Sequence, residues 1–371
     1  MAGKRSVGRL LTGGLALAAV GWAVREIPAE LGGRATGERL ARMLRSPQFR
    51  DGVFHNAVSG SYTPPVGSLP GLIRDMVVDR DSRRPAGPIP LVSSPATPPS
   101  ETGLSVVWYG HATTLVEIEG RRVLFDPVWS ERVSPSQLVG PRRLHPLPSS
   151  LTNLPVLDAI VISHDHYDHL DRATVRALTK AQNAPFLVPL GIGAHLERWG
   201  VPASRIVELD WEEEASVAGL RFVATAARHF SGRAFTRNNT LWGSWVVAGR
   251  SKRVFYAGDS GYFDGYAGIG AAHGPFDLTL MPIGAYSPAW PDIHMGPEEA
   301  IDAHLDLGGR VLLPVHWATF TLAVHPWAEP ADRLWHEAKA RDVRLAIPRP
   351  GDRIDAGDVP LVDPWWELLG A

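Results

Sequence analysis

Three histidines and two aspartates stand within six consecutive residues, His164-Asp165-His166-Tyr167-Asp168-His169. They come just after a β-branched run, residues 157–162, whose apolar side chains occupy both parities and predict a strand buried on both faces. After the block, residues 172–180 carry a helical pattern, with Asp171 placed to cap the first turn. Open α/β folds carry their chemistry in such a loop between a strand end and a helix start.

The spacing of these side chains favours metal binding. In an extended loop, residues two apart point the same way, so His164 and His166 can bind one ion while Asp168 and His169 turn toward a second position. Imidazole and carboxylate suit zinc, iron or manganese. A solvated polar loop or a metal-free histidine cluster is the alternative, but five potential ligands in six residues argue against it. Because the chain has no cysteine, any metal must be held by histidine and carboxylate.

The block matches the HxHxDH signature of the metallo-β-lactamase superfamily, and six further segments sharpen the match. Together they resemble the family of N-acyl-phosphatidylethanolamine-hydrolysing phospholipase D and its bacterial relatives. The likeness covers the chain from about Phe54 to the C-terminal region. The segments are Gly110-His111-Ala112-Thr113, Phe125-Asp126-Pro127, Leu241-Trp242-Gly243-Ser244-Trp245, Ala257-Gly258-Asp259, Pro282-Ile283-Gly284-Ala285-Tyr286 and Val315-His316-Trp317-Ala318-Thr319-Phe320.

This resemblance implies an α/β (α+β) fold, a four-layer αββα sandwich with the site along one edge. It also implies two divalent metal ions, zinc first, with iron or manganese as alternatives. One ion would be held by His164, His166, His229 and Asp259, and the other by Asp168, His169, Asp259 and His316. In this arrangement Asp259 is shared, and His229 is the third histidine of the first set.

The resemblance assigns further roles around the metals. Asp168, Asp259 and His294 are expected to be catalytic, because His294 matches a family histidine near the reacting phosphate. Asp126 is expected to hydrogen-bond a ligand histidine. Substrate contacts are expected from His111 and Tyr286. Arg142 and Arg143 are expected to contact substrate because of their own chemistry, since their forked donors could hold a phosphate, although an exposed arginine pair could instead be solvated. For His111 a contact that supports a metal ligand is a further possibility, and a structural turn is equally compatible.

The expected reaction is metal-dependent hydrolysis, since two ions in one pocket can share a hydroxide and polarise a phosphoryl oxygen. The resemblance implies a zinc-dependent phosphodiesterase that cleaves N-acyl-phosphatidylethanolamine-like phospholipids into phosphatidic acid and an N-acylethanolamine. An alternative on the same fold is a lactone or a soluble phosphodiester, as in relatives of ascorbate-phosphate lactonase. A membrane-tethered binding protein without catalysis is a third hypothesis, against which the complete ligand set argues.

Composition sets the organisation of the chain. Its 371 residues, 44% of them hydrophobic, suffice for one large core, and we predict a catalytic domain over residues 101–371. Residues 27–100 are predicted to be a Pro/Gly-rich extension that wraps this domain. A formal charge of −2 argues against a broad surface for nucleic acid, and a homodimer is left open.

Residues 1–26 form a candidate membrane segment. Basic Lys4, Arg5 and Arg9 precede 15 uncharged residues, 10–24, fewer than the roughly 20 that span a bilayer comfortably. The absence of a clear cleavage signal favours a retained short anchor over a removed signal peptide, while a helix packed on the domain is the alternative. We therefore expect membrane association with a phospholipid substrate, on an unspecified side. Trp129, Trp290, Trp365 and Trp366 are candidates for interfacial contact, and core packing is the alternative for these tryptophans.

Overall fold

The computed structural model describes residues 26–60, 80–93, 103–233 and 236–370, and the single positions 71, 74, 78, 98 and 100. The uncharged segment at residues 10–24 lies outside the described residues. Within the described part of the chain, no helix is both long and apolar enough to cross a membrane.

The elements are named here in chain order. The first half contains α1 (Ile27–Glu30), α2 (Gly37–Met43), β1 (Phe49–Arg50), β2 (Val53–Phe54), β3 (Leu104–Gly110), β4 (Thr113–Ile118), β5 (Arg121–Phe125), β6 (Ala159–Val161), α3 (Arg172–Ala181), β7 (Phe186–Pro189), α4 (Gly193–Arg198) and β8 (Ile206–Leu209). The second half contains β9 (Glu214–Val217), β10 (Leu220–Thr225), β11 (Ser244–Ala248), β12 (Arg253–Tyr256), α5 (Gly265–His273), β13 (Leu278–Pro282), α6 (Pro297–Asp306), β14 (Leu312–Val315), α7 (Glu329–Ala340) and β15 (Arg353–Asp355).

Two large mixed sheets organise these strands. The first has the order β15-β3-β4-β5-β6-β7-β8, antiparallel up to β5 and parallel from there on. The second has the order β14-β13-β12-β11-β10-β9, with parallel pairing confined to β12, β13 and β14. Most parallel neighbours are joined by helical crossovers, through α3 and α4 in the first sheet and through α5 and α6 in the second. The exception is the pair β5 and β6, which is joined by the long segment 126–158 with a short 3₁₀ turn at Leu151–Asn153.

Alternating side chains of the first sheet define the layers. In β3, Val106 and Trp108 enter the large central core, which also contains residues of the second sheet. Val107 and Tyr109 point the other way, into a separate core shared with α3 and α4. On the far side of the second sheet, residues of α5, α6 and α7 such as Ile269, Ile301 and Leu334 complete the central core. The result is the four-layer αββα sandwich that the sequence predicts.

The N-terminal extension contributes more regular structure than its composition predicts. α1 and α2 were not predicted, and a two-stranded ribbon of β1 and β2 follows them. Met43 and Phe54 are buried there in a small core with Trp242, next to the second sheet. The extension is therefore packed against the catalytic domain.

The interpretation of two tryptophans as membrane contacts is wrong. Trp365 and Trp366 are each 1% exposed and pack at right angles to one another. Both also contact Trp317, which is stacked on Trp108 of β3. This aromatic cluster fixes the C-terminal segment to the core, because large rings bury more apolar area than most other side chains. Trp129 and Trp290 are only partly buried.

Candidate metal centre

Five strand ends carry the predicted site residues to one place. The His164–His169 block follows β6, Asp126 follows β5, His229 lies four residues beyond β10, Asp259 lies three beyond β12, and His316 follows β14 directly. Their ligand atoms form overlapping groups. Within each group, all of the ligand atoms lie within 4.8 Å of one another. The strands of both sheets thus end around a single cluster.

The first group consists of three histidines. Nδ1 of His166 lies 2.9 Å from Nε2 of His164 and 3.3 Å from Nε2 of His229. These contacts are close to the separation of about 3.4 Å expected between ligands on one tetrahedral zinc ion with bonds near 2.1 Å. All three rings aim a nitrogen at one point.

The second group is built around Asp168. Its Oδ2 lies 2.9 Å from Nε2 of His111, 3.3 Å from Nε2 of His316 and 3.5 Å from Nε2 of His169. His111, Asp168, His169 and His316 therefore form a second possible coordination set. His111 was predicted to contact substrate, and the structure places it at this carboxylate instead of on an open wall.

Asp259 lies between the two groups. Its Oδ2 is 3.0 Å from Nε2 of His316 and 3.1 Å from Nε2 of His169. The same oxygen is 3.8 Å from Nε2 of both His164 and His229. One carboxylate thus reaches both sets.

Unpartnered atoms indicate what this cluster is built to hold. Nε2 of His169 and Oδ1 of Asp259 are buried, yet neither forms a hydrogen bond with any described residue. Buried polar atoms normally have partners, because an unsatisfied one costs about 1–3 kcal/mol. Convergent imidazoles and carboxylates with spare lone pairs fit divalent metal ions.

Electrostatics point the same way. Burial lowers the pKa values of His164, His166 and His229, so their rings offer lone pairs at neutral pH. Burial also opposes charge on His316, but Asp259 and Asp168 raise its pKa to about 9. Burial would raise the pKa of Asp259, yet His169 and His316 hold it well below its usual value. The half of the cluster around the carboxylates therefore attracts positive charge, as a metal site should.

Asp126 is a buried acceptor for several donors. Its Oδ2 accepts from Nδ1 of His169 at 2.7 Å and from the hydroxyls of Tyr256 and Ser163, both at 2.5 Å, while Oδ1 accepts from the Ser163 amide. These bonds fix the tautomer of His169 so that Nε2 faces the cluster, the usual arrangement for a ligand histidine. Tyr256 and Ser163 were not predicted, because nothing in their local sequence marks a partner about 130 or 37 residues away.

His229 is held by the extension and by the loop before α6. Nδ1 of His229 bonds the carbonyl of Ile293 at 2.9 Å. Asn56 donates from Nδ2 to the His229 carbonyl at 2.8 Å and accepts the His229 amide at Oδ1, 3.1 Å away. Trp242 Nε1 donates to the same oxygen. The supporting role of Asn56 was not predicted, because nothing in its local sequence marks a partner 173 residues away.

Several site residues have unusual backbone conformations. His111, Asp126 and His316 have positive φ angles of 51°, 36° and 63°. Non-glycine residues adopt this region at a cost and concentrate in it at functional sites. At Gly258, just before Asp259, φ is +60° and a Cβ would stand 2.6 Å from Cβ of Ser163. Glycine at position 258 therefore permits the turn that leads into Asp259.

His294 and Tyr286 lie at the edge of the cluster. The His294 ring is centred 5.1 Å from the His229 ring and 5.2 Å from the His316 ring, so it stands beside both sets. Tyr286 lines a cavity together with His294, and its hydroxyl donates to Glu329 at 2.7 Å. The structure thus places His294 beside the metal cluster and Tyr286 in the cavity that His294 also lines.

The two predicted arginines are not brought together with the cluster. Arg142 is exposed and pairs with Glu131. Arg143 donates to the carbonyls of Ser130 and Val128, and burial lowers the pKa of its guanidinium to about 10. The nearest link from Arg143 to the cluster runs through Phe320, whose ring contacts both Arg143 and His111.

Comparison with known proteins gives a family match and similar chains. Residues 121–317 match the model of the beta-lactamase superfamily domain. A Mycobacterium tuberculosis protein of uncharacterized function is 52% identical over 97% of this chain and 98% of its own length. N-acyl-phosphatidylethanolamine-hydrolyzing phospholipase D 1 of Caenorhabditis elegans is 37% identical over 66% of this chain and 72% of its own length.

A solved structure supports the fold. A metallo hydrolase from the archaeon Ignicoccus hospitalis superposes with a TM-score of 0.53 at 21% identity, covering 68% of this chain and 98% of its own. At this identity the likeness concerns the architecture alone.

Proposed function

Since the chain belongs to the metallo-β-lactamase superfamily and is related to the N-acyl-phosphatidylethanolamine-hydrolyzing phospholipases D, we propose that it is a zinc-dependent phosphodiesterase with the same substrate class. Its substrate would be an N-acyl-phosphatidylethanolamine-like phospholipid, and its products phosphatidic acid and an N-acylethanolamine. Membership of the superfamily supports a metal-dependent hydrolase. We propose in addition that the metal is zinc, that two ions are bound and that the substrate is this lipid.

The observation that carries this proposal is the position of Asp259. Its Oδ2 stands within 3.0–3.8 Å of four histidines from two groups, as a carboxylate shared by two ions would. His164, His166 and His229 would hold one ion, and Asp168, His169 and His316 the other. Two such ions would supply Lewis-acid activation of water and neutralise charge on a phosphoryl group.

The chain's own residues would position the reactants. Asp126 fixes the ring of His169 through Nδ1, and Asn56 and Ile293 fix His229 from two sides. His294 stands beside both sets, and burial lowers its pKa to about 4, so its ring is neutral at neutral pH. It is placed to donate a hydrogen bond to a phosphoryl oxygen or to relay the proton of the attacking water to the leaving oxygen. The water oxygen would bond to phosphorus, the bond from phosphorus to the ethanolamine oxygen would break, and that oxygen would leave with the proton.

We further propose that the protein works at a membrane surface, with residues 1–26 as the attachment. The support is the basic and apolar character of that segment and the lipid named for the Caenorhabditis elegans relative.

The test is hydrolysis of N-acyl-phosphatidylethanolamine in ¹⁸O-labelled water by protein loaded separately with zinc, manganese or iron. We expect zinc-loaded protein to release N-acylethanolamine and to place the label in phosphatidic acid, because water attacks phosphorus. A parallel panel contains ascorbate-phosphate-type lactones and soluble phosphodiesters. Ring opening of lactones without release of N-acylethanolamine would reject the lipid substrate and favour the alternative activity.

A further inference from the structure

A cavity of about 690 Å³ adjoins the metal cluster through His294. Its polar walls are formed by Tyr286, Glu299, His325, Glu329 and Arg333, and apolar side chains such as Pro288, Pro291 and Val324 line the remainder. Small-molecule sites commonly have volumes of about 300–1,000 Å³ with a few placed polar groups. A substrate with its phosphorus at the metal cluster can therefore extend one of its two ester arms past His294 into this cavity.

The donors of Arg333, Tyr286 and His325 on the cavity wall are largely engaged with neighbouring groups. Arg333 donates through Nε and Nη2 to Glu298, at 2.9 and 2.6 Å, and through Nη1 to Oε1 of Glu329 at 3.1 Å. The Tyr286 hydroxyl donates to the same Oε1 at 2.7 Å. Nε2 of His325 accepts the Ala285 amide at 3.0 Å, which leaves its Nδ1 proton for the Pro326 carbonyl at 2.9 Å.

One hydrogen-bond acceptor on the cavity wall, in contrast, has no partner among the described residues. Oε2 of Glu329 forms no hydrogen bond with another described residue, although Glu329 lines the cavity. The wall carries the carboxylates of Glu299 and Glu329 against the single guanidinium of Arg333, three of whose five N–H groups bond Glu298 and Glu329. An entering group that only accepts hydrogen bonds would leave Oε2 of Glu329 desolvated without a partner, and an anionic group would also be repelled.

The two arms of the proposed substrate differ in this respect. The diacylglycerol arm carries ester oxygens, which only accept, whereas the N-acylethanolamine arm carries one amide N–H. Resting on the phospholipase function proposed above, we infer that this cavity binds the leaving N-acylethanolamine arm, with its amide N–H donating to Oε2 of Glu329. The acyl chain then lies along the apolar wall, and the departing oxygen is beside His294. Glu329 is on this basis a specificity-determining residue.

The test compares N-acyl-phosphatidylethanolamine with its N-methyl amide, which lacks the N–H, in wild-type protein and in Glu329→Gln. In the variant, the new amide oxygen still accepts from the Tyr286 hydroxyl. The new NH₂ group replaces Oε2 of Glu329 and presents a donor to the substrate N–H, so the hydrogen bond is lost. One lost hydrogen bond to a charged carboxylate corresponds to at least about tenfold in kcat/KM. We expect wild type to prefer the secondary amide by about tenfold, mainly through KM, and Glu329→Gln to show little preference. Glu337→Gln, on the same helix and paired with Arg341, is the matched control and should keep the wild-type ratio.

Binding of the products separates this inference from the reaction itself. N-lauroylethanolamine and its N-methyl derivative are titrated calorimetrically into zinc-loaded wild type and Glu329→Gln. A roughly tenfold weaker N-methyl complex in wild type, and none of that difference in the variant, supports the subsite even if no phospholipid is cleaved. Equal affinities of the two amides for wild type would overturn the inference while leaving phospholipid hydrolysis as a separate result.

Discussion

Asp259 is the residue on which the proposed centre depends most. Its carboxylate reaches His169 and His316 on one side and His164 and His229 on the other. We predict that Asp259→Ala lowers bound zinc from two equivalents toward none and abolishes turnover, because each set loses an anionic ligand. Metal analysis after dialysis, together with the phospholipid assay, measures both effects.

The control for this variant is Asp264→Ala. Asp264 lies five residues away, is exposed and forms no side-chain cap at the start of α5. It should keep both metal and activity. Two equivalents of zinc and normal turnover in Asp259→Ala would refute the shared-ligand role.

Asn56 shows how a residue outside the metal cluster can act on it. Its side-chain amide bonds both backbone groups of His229, and Oδ1 also accepts from Trp242. Removing a group that orients a metal ligand typically costs 10–100-fold in metal affinity. We predict that Asn56→Ala weakens zinc binding by at least about tenfold in competition with a chelator.

Asn153→Ala is the control for Asn56→Ala, because Asn153 is exposed in the loop before β6. Unchanged zinc affinity in Asn56→Ala would show that the extension does not support the centre.

At the scale of single elements, α6 carries a buried titratable group away from the metals. His304 is 1% exposed, and its Nδ1 shares a hydrogen bond of 2.7 Å with the Thr279 hydroxyl on β13. Burial lowers the pKa of His304 to about 4, whereas an unfolded histidine titrates near 6.5. Between these pH values the unfolded chain binds one more proton than the folded chain, so acid destabilises the fold.

The predicted effect of His304 has a definite pH window. Its contribution is fully present above pH 6.5 and falls by about 3 kcal/mol as the pH drops toward 4. His304→Gln removes the titration, so its free energy of unfolding in urea should decrease less between pH 7 and 4.5 than that of wild type. His336→Gln, exposed on α7, should leave the wild-type slope unchanged. Parallel slopes for wild type and His304→Gln would contradict the assignment.

Elements with strong local signals were predictable from the sequence. β6 lies within the predicted residues 157–162, and Asp171 caps α3 by accepting the Ala173 amide at 3.1 Å. In these cases a β-branched apolar run and a capping carboxylate lie within one short window. α1 lacks such a signal, whereas Leu40, Met43 and Leu44, in α2 and at its C-cap, have the spacing of one helix face, which the prediction from Pro/Gly composition did not use. Burial of Met43 stabilises this region.

For the whole molecule, what the sequence could not predict is contact between distant segments. His111, His229 and His316 are far apart in the sequence. Only the family resemblance predicted that they lie close together in the fold. Three contacts depend on the packing of the two sheets against one another. They are the hydrogen bonds to Asp126, the hydrogen bonds between Asn56 and His229, and the burial of Trp365 against Trp317. Amphipathic rings such as Trp365 suit either a core or a membrane surface, and composition does not choose between these environments.

The last prediction concerns attachment to lipid. A phospholipase must draw one lipid from a bilayer, and each buried methylene of a membrane segment contributes about 0.8 kcal/mol. Residues 10–24 are uncharged, and Lys4, Arg5 and Arg9 would add attraction to anionic headgroups. We predict that deleting residues 1–25 moves the protein from the membrane to the soluble fraction and lowers activity on phosphatidylglycerol-containing vesicles of N-acyl-phosphatidylethanolamine. Zinc content and turnover of a soluble short-chain phosphodiester should be unchanged, because the residues of the described metal cluster lie between His111 and His316 in the chain. Equal activity on vesicles with and without the segment would show that attachment plays no part in catalysis.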